Sequence, residues 1–544
     1  MAVLTVPEEH NLAALHEAVA AAVPDRECLV WRDRRFTWAE VTDRTRRLAA
    51  VLGDHAIGIH GALADQPAEG SPHDHVALYL HNGNEYLEGM VGAAKARAVG
   101  VNVNYRYVAE ELRYVLTDSR ATAILYHGAF AGTLAEIRAD LPDLRLLLQV
   151  EDESGAPLLP GALDYEAALA AATPRPPVDL SPDDLYILYT GGTTGLPKGT
   201  LWRQADFLAA CLGIDRTTEE LVATARRSSL RVLPAPPLMH GAAHWNALSA
   251  WVAGGTVVLQ DDPTRFDPDD VLRTAERERV SSLLIVGDAF ARPLVDQLRH
   301  GAYQLDALRF LLTGGATLSA HVKDELLELL PLLRIVDVLG SSETGRQGVQ
   351  TSSAERGTAS GTFERSPTAV VLSDDRARVL EPGDDELGWL AQTGRVPRGY
   401  LGDPIKSAAT FPVVDGVRYA VAGDRARVAA DGSVELFGRD SVTINTGGEK
   451  VFAEEVEEAL KRHPAVFDAV VVGRPSERWG QEVVAVVQLR PGLDTDDADL
   501  AAVAAERVAR YKLPKAIVRV DRVERSPSGK ADYRWAAAVA VGAP

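Results

Sequence analysis

The rhythm of apolar and polar positions changes twice along the chain. Residues 11–23 are Ala-rich and interrupted by His16 and Glu17, a pattern that predicts a helix. Thr37, Trp38, Ala39 and Glu40 stand in capping-box order and open a second helix carrying Val41, Leu48 and Leu52. Short apolar runs at 76–80 and 121–126 read as buried strands, and 85–98 reads as a helix closed by Gly100. Residues 151–178 are rich in Ala and Pro and read as a linking surface segment. Strand-like runs then recur at 185–189, 231–235, 256–260, 282–286, 308–313 and 335–339, with helical runs such as 268–279 and 319–330 between them. Strands alternating with helices of that length predict βαβ units and a mostly parallel sheet, which binds ligands at the carboxyl ends of its strands.

The last hundred residues follow another pattern. Phe452, Val456, Ala459, Leu460 and His463 recur at helical spacing, with Glu454, Glu455, Glu457 and Glu458 expected to face out. Strands at 466–472 and 482–489 and a helix at 499–510 complete a small unit with its own core. The expected fold class is therefore α/β. A large N-terminal domain, residues 1–439, has βαβ-rich, mostly parallel sheets. A small C-terminal α+β domain covers residues 440–544.

Composition narrows the partners. Lys and Arg number 57 against 77 Asp and Glu, a formal charge of −20. That disfavours non-specific binding to nucleic acid or to an anionic membrane. Cys28 and Cys211 lie far apart and in no metal-ligand spacing. No apolar run reaches the ~20 residues of a membrane helix. No basic leader precedes the first helix, so a cytoplasmic location is expected.

The sharpest chemical signal spans residues 189–199. Gly191, Gly192, Gly195 and Gly199 remove Cβ atoms so that backbone N–H groups can turn toward an anion. Thr190, Thr193 and Thr194 add hydroxyls, and Lys198 adds a point charge. The stretch reads as a phosphate cradle, and it lacks the Gly-Lys-Ser/Thr ending of a Walker A loop. Gly314, Gly315 and Ala316 follow a strand and permit close approach of a ligand. Glu343, after another strand, offers a hard carboxylate oxygen.

With further motifs at 236–241, 419–424, 438–450 and 526–530, the chain resembles the adenylate-forming superfamily of acyl-CoA synthetases, luciferases and peptide-synthetase adenylation domains over residues 11–535. The resemblance implies ATP, Mg²⁺ and coenzyme A as cofactors and a small-molecule carboxylic acid as substrate. It implies that His240 lies beside the acid's carboxylate, and that Gly314, Gly315 and Ala316 lie against adenine and the acyl group. Glu343 matches the magnesium ligand, and Ser342 contributes a hydroxyl toward phosphate. Asp424 matches the ribose-binding residue, Arg439 suits ribose or phosphate, and Lys530 matches the adenylation lysine. Asp440 falls at the hinge on which the small domain rotates. Gly447, Gly448 and Lys450 belong to a loop shaping the pantetheine tunnel, and Arg474 or Lys512 is a candidate for the CoA phosphates.

Segments 102–107, 339–345 and 444–450 are similar to fatty-acid and steroid-type CoA synthetases of actinobacteria. That similarity implies a hydrophobic acid, fatty or bulky and polycyclic, such as a steroid or terpenoid acid. Gly241, Ala242 and Ala243 either leave room for it or form a tight helix start. The expected enzyme is an AMP-forming acyl-CoA ligase. The alternative is a stand-alone enzyme for one half-reaction, which makes acyl-AMP for a carrier protein or thioesterifies a supplied acyl-AMP. A homodimer and a free carrier protein stay open as partners.

Overall fold

The computed structural model describes residues 8–190, 196–446, 449–476, 479–527 and 529–542. Thr37 caps the helix Trp38–Asp54 as its sequence predicts. Its Oγ1 accepts from the Glu40 amide at 3.2 Å, and the Glu40 carboxylate accepts from the Thr37 amide at 2.7 Å. Val41, Leu48 and Leu52 on the inner face of that helix are fully buried.

Five parallel strands form the first sheet, in the order Val99–Asn102, His75–Tyr79, Ala121–His127, Leu146–Val150 and Leu163–Asp164. Two expectations change here. The helix Asn84–Lys95 ends well before Gly100, which lies inside a strand, and Arg97 (φ 54°) makes the left-handed turn between them. The Ala- and Pro-rich segment 151–178 contains a strand and the helix Tyr165–Ala171. Its Tyr165 is buried and donates to Glu88 at 2.7 Å, so this is not merely a surface link.

Thirteen strands of the described residues make the second sheet. Its centre is parallel, in the order Arg334–Ser341, Phe310–Gly314, Ser282–Ile285, Arg231–Pro234, Thr256–Leu259 and Glu27–Trp31. Beyond Arg334–Ser341 the pairing turns antiparallel through Gly345–Ser352, Thr362–Arg365, Val434–Arg439 and Asp424–Val428. Leu185–Thr190, read from sequence among the parallel strands, instead pairs antiparallel with Lys198–Arg203, which also pairs with Gly399–Tyr400. Residues 190 and 198 are register partners across that hairpin, so the cradle stretch joins two strands of one hairpin.

The chain after residue 440 builds a separate sheet. Glu449–Val451, Ile444–Thr446, Gly480–Leu489 and Val466–Ser476 lie in that order, and Ala516–Val520 pairs parallel with Gly480–Leu489. Val456, Leu460, Val471, Val483 and Ala485 form a core of their own. Glu457 was expected to face out and is 5% exposed, its Oε1 accepting from the Val471 amide at 2.9 Å. The helix Ala453–Lys461 is covered by strands Val466–Ser476 and Val434–Arg439 and by helix Asp497–Ala505. It therefore has less solvent-facing surface than its periodicity implies.

Candidate active site

The motifs at 236–241, 313–316 and 339–345 follow three parallel strands of the second sheet at their carboxyl ends. His240 caps the helix Gly241–Val252, close after the strand Arg231–Pro234. Its Nε2 is buried without a hydrogen-bond partner. Burial, then the positive charge of Lys530, pushes the His240 imidazole down to about 3, so it is neutral at pH 7. A Cβ at Gly241 would meet Leu188 Cδ2 at 2.9 Å, and Ala243 is fully buried. Those two small residues serve a tight helix start.

Gly314 and Gly315 are glycine for different reasons. A Cβ on Gly314 would stand 2.7 Å from the Val338 carbonyl oxygen of the neighbouring strand. Gly315 has φ 81° and faces the open cleft, where Lys530 Cε lies 3.6 Å from its ideal Cβ position. Ala316, the next residue, is half-buried beneath the start of helix Gly287–His300.

Glu343 sits in the turn after strand Arg334–Ser341. Its carboxylate accepts from Ser342 Oγ at 2.8 Å and from Tyr400 Oη at 2.9 Å. Ser342 Oγ also reaches Thr190 Oγ1 at 3.2 Å, linking this turn to the cradle stretch, and Trp202 Nε1 donates to the Ser342 carbonyl at 2.9 Å. Lys198 pairs with Asp403, so its charge is shared within the protein. Gly191, Gly192, Thr193, Thr194, Gly195, Gly447 and Gly448 lie outside the described residues.

Asp424 begins its strand and Arg439 ends the adjacent one as its register partner. Arg439 Nε donates to Asp424 Oδ1 at 3.2 Å. The Asp424 motif therefore leads into a strand. The Asp440 amide, at the next position, donates to the Gly423 carbonyl at 3.0 Å.

Lys530 follows a tight turn in which the Gly529 amide donates to the Ser526 carbonyl at 2.8 Å. The Lys530 ammonium is held below the ordinary lysine value, first by loss of water around it and then by Arg439. Glu343 and Asp424 pull the other way. The structure thus gathers His240, Gly315, Glu343, Asp424, Arg439 and Lys530 in one cleft, although they are scattered between residues 240 and 530. Lys450 is not gathered with them. It is exposed on the hairpin opposite Asn445, and no hydrogen bond or ion pair among the described residues joins it to the cleft. Lys512 and Arg474 are engaged by Glu455 at 2.7 Å and Glu482 at 2.9 Å.

Tyr400, Asp403 and Trp202 escape a sequence reading. Each acts on a motif residue far away in the chain. The run Arg398, Gly399, Tyr400, Leu401, Gly402 and Asp403 carries two glycines and two charges and is the signal that could have found Tyr400 and Asp403, whereas Trp202 reads only as a buried strand residue. Among the described residues no three His, Cys, Asp or Glu side chains are grouped to hold a metal ion. Glu343, held only by neutral hydroxyl donors in its hydrogen bonds, suits a cation whose other ligands come from nucleotide and water. No helix of the described residues is long and apolar enough to cross a membrane.

The AMP-binding enzyme family matches residues 16–401, and the AMP-binding enzyme C-terminal domain matches residues 455–530. The medium-chain acyl-CoA ligase Mig of Mycobacterium avium is 51% identical over 541 residues, 98% of each chain. The 3-oxocholest-4-en-26-oate–CoA ligase of Rhodococcus rhodochrous is 39% identical, over 97% of this chain and 95% of that one. In fold, the chain is similar to the anthranilate CoA ligase AuaEII, solved with anthranoyl-AMP, with a TM-score of 0.83 at 22% identity over 98% of each chain. This chain belongs to the AMP-binding enzyme family.

Proposed function

We propose that this protein is an AMP-forming acyl-CoA ligase for a hydrophobic carboxylic acid, fatty or steroidal. The observation that carries the reading is the placement of Lys530 against Gly315, in the company of Glu343, Asp424, Arg439 and neutral His240. The names of the relatives from Mycobacterium avium and Rhodococcus rhodochrous support the acid class.

A carboxylate is a poor acyl donor because oxide is a poor leaving group. In the first half-reaction the acid's oxygen attacks the α-phosphorus of ATP, and the bond to the bridging oxygen breaks as pyrophosphate leaves. Catalysis of such a substitution is mostly positioning and charge neutralisation. The ammonium of Lys530 neutralises charge on the α-phosphate as it develops. Asp424 accepts from the ribose hydroxyls, with Arg439 holding its carboxylate in place. The neutral imidazole of His240 has an unpartnered Nε2 that can donate to the incoming carboxylate when the proton is on that nitrogen. Thr190, with the loop 191–195 and Lys198, holds the β- and γ-phosphates. Glu343 and Ser342 would hold Mg²⁺, which supplies Lewis-acid neutralisation of the phosphate oxygens.

In the second half-reaction the CoA sulfur attacks the acyl carbon and AMP leaves with the electron pair of the C–O bond. Residues 1–439 and 440–544 act as two bodies joined at Asp440, and a rotation there withdraws Lys530 and brings the loop with Gly447 and Gly448 to the pantetheine path.

The test is direct. Purified protein is incubated with ATP, Mg²⁺ and a panel of fatty, aromatic, steroid and diterpene acids, with and without CoA, and products are identified by mass spectrometry. Pyrophosphate, AMP and an acyl-CoA from a fatty or steroid acid are expected. Acyl-AMP that accumulates despite CoA, or a thioester formed only from supplied acyl-AMP, would contradict the reading.

A further inference from the structure

The helix Gly287–His300 carries Asp288, Arg292 and Asp296 at four-residue spacing, and therefore on one face. That face does not point into the cleft. It meets the small C-terminal unit at three places. Arg292, 4% exposed, donates to the Lys461 carbonyl at 3.2 Å and to the Val466 carbonyl at 3.1 Å. Asp288, 3% exposed, lies 3.7 Å from Lys461 Nζ. Asp296 lies 3.3 Å from Arg490.

The contact continues to the catalytic turn. Lys461 Nζ also lies 3.9 Å from Asp468, whose carboxylate takes a bidentate pair of bonds from Arg525 at 2.6 and 2.8 Å. Arg525 NH1 donates to the Gly529 carbonyl at 3.0 Å, one residue before Lys530. Gly529 itself rests on the docking helix: a Cβ there would meet Phe290 Cε2 and the Val286 carbonyl oxygen, each at 3.1 Å. A continuous ionic path thus runs from Asp288 through Lys461, Asp468 and Arg525 to the backbone that presents Lys530.

Arg292 is fixed from its own side as well. Its NH2 donates to His321 Nε2 at 2.9 Å. A guanidinium has no acceptor, so His321 must be neutral on that nitrogen, and burial followed by the charge of Arg292 pushes it down to about 4. Asp288 in turn accepts from the Ser319 amide at 2.8 Å and from Ser319 Oγ at 2.5 Å. Both charges are therefore also held by residues of the large domain, His321 and Ser319.

We propose that Arg292, with Asp288 and Asp296 on the same helix face, is the clamp that holds the small unit in the adenylating arrangement and so positions Lys530. The proposal rests on the ligase reading above. Arg292 touches no reacting atom and is a positioning residue. Its two carbonyl partners belong to the small unit, so rotation about Asp440 must break these bonds. Loss of the clamp therefore lowers the population of the first arrangement without touching the chemistry of the second.

The experiment separates the half-reactions in the intact chain. Acid-dependent pyrophosphate release reports the first, and acyl-CoA formed from supplied acyl-AMP and CoA reports the second. For Arg292→Met we expect kcat of the first to fall by at least about tenfold with KM for ATP within about twofold, and the second to stay within about twofold. Arg292→Lys, which keeps a cationic donor, should restore part of the first. Because a buried arginine can matter for folding, the half-buried pair Asp296 and Arg490 gives an independent arm. Asp296→Arg or Arg490→Asp should each slow the first half-reaction, and the double exchange should recover it. An Arg292→Met enzyme that loses both half-reactions alike, or neither, overturns the clamp, as does a charge exchange without recovery. Wild-type protein that makes no acyl-AMP would instead fail the ligase reading itself.

Discussion

At the scale of single residues, the account turns on Lys530. Its ammonium is held below the ordinary value of 10.5 by loss of water and by Arg439. A lysine is cationic only below its own pKa, so acyl-AMP formation should decline on the alkaline side with a midpoint below 10.5. The thioesterification of supplied acyl-AMP, from which Lys530 has withdrawn, should lack that limb. Pyrophosphate release and acyl-CoA formation followed across pH check this, and a limb common to both would contradict it. Of the residues that meet in the cleft, Gly315 and Glu343 stand in short runs of glycines and hydroxyls at 313–316 and 339–345, and His240, Asp424, Arg439 and Lys530 were legible only through the resemblance that their motifs carry in order. Tyr400 and Arg292 were not. Their partners, Glu343 and the Lys461 and Val466 carbonyls, are remote in sequence, and only packing brings them together.

At the scale of elements, strands and helices followed from periodicity over most of the chain, as in the central strands and the capped helix Trp38–Asp54. Periodicity does not report pairing direction, so the hairpin around the cradle stretch and the antiparallel half of the large sheet were not legible. Nor does it count the neighbours of a helix, so Glu457 was placed outside. The hairpin Arg334–Ser341 and Gly345–Ser352 gives the clearest test of an element. Its register shifts between Leu339 and Gly340, and a Cβ on Gly340 would stand 2.1 Å from the Gly345 carbonyl oxygen. Backbone cannot yield as a side-chain tip can. Gly340→Ala should therefore cost about 1–3 kcal/mol in urea unfolding and remove most pyrophosphate release, because Glu343 sits in the turn. Unchanged stability and activity would show that the hairpin accommodates a side chain there.

At the scale of the whole molecule, buried histidines set the response to acid. His240 is pushed down to about 3, and His75, His127, His244 and His321 to about 4, from an ordinary 6.5, each chiefly by burial. Between pH 6.5 and 4 the unfolded chain binds protons on these groups that the folded chain refuses, so stability falls as pH falls. Glu85, raised to about 7, and Glu454, raised to about 8, act in the opposite sense, since the folded state takes their protons first. His16, His73 and His81 are also held down and Asp337 and Glu457 held up, each chiefly by burial. Eight groups therefore oppose four, and a lower melting temperature at pH 5 than at pH 7 is expected. An equal or higher one at pH 5 would contradict the balance. The same molecule is asked to run two reactions with one lysine present and then absent. The most direct measurement of that claim is Lys530→Ala assayed for both half-reactions in the full chain. Acyl-AMP formation should fall by ~10²–10³, the usual loss when one electrostatic stabiliser is removed, while acyl-CoA formation from supplied acyl-AMP stays within about twofold. If both rates fall together, or if acyl-AMP formation survives, Lys530 is not the residue that drives the first step.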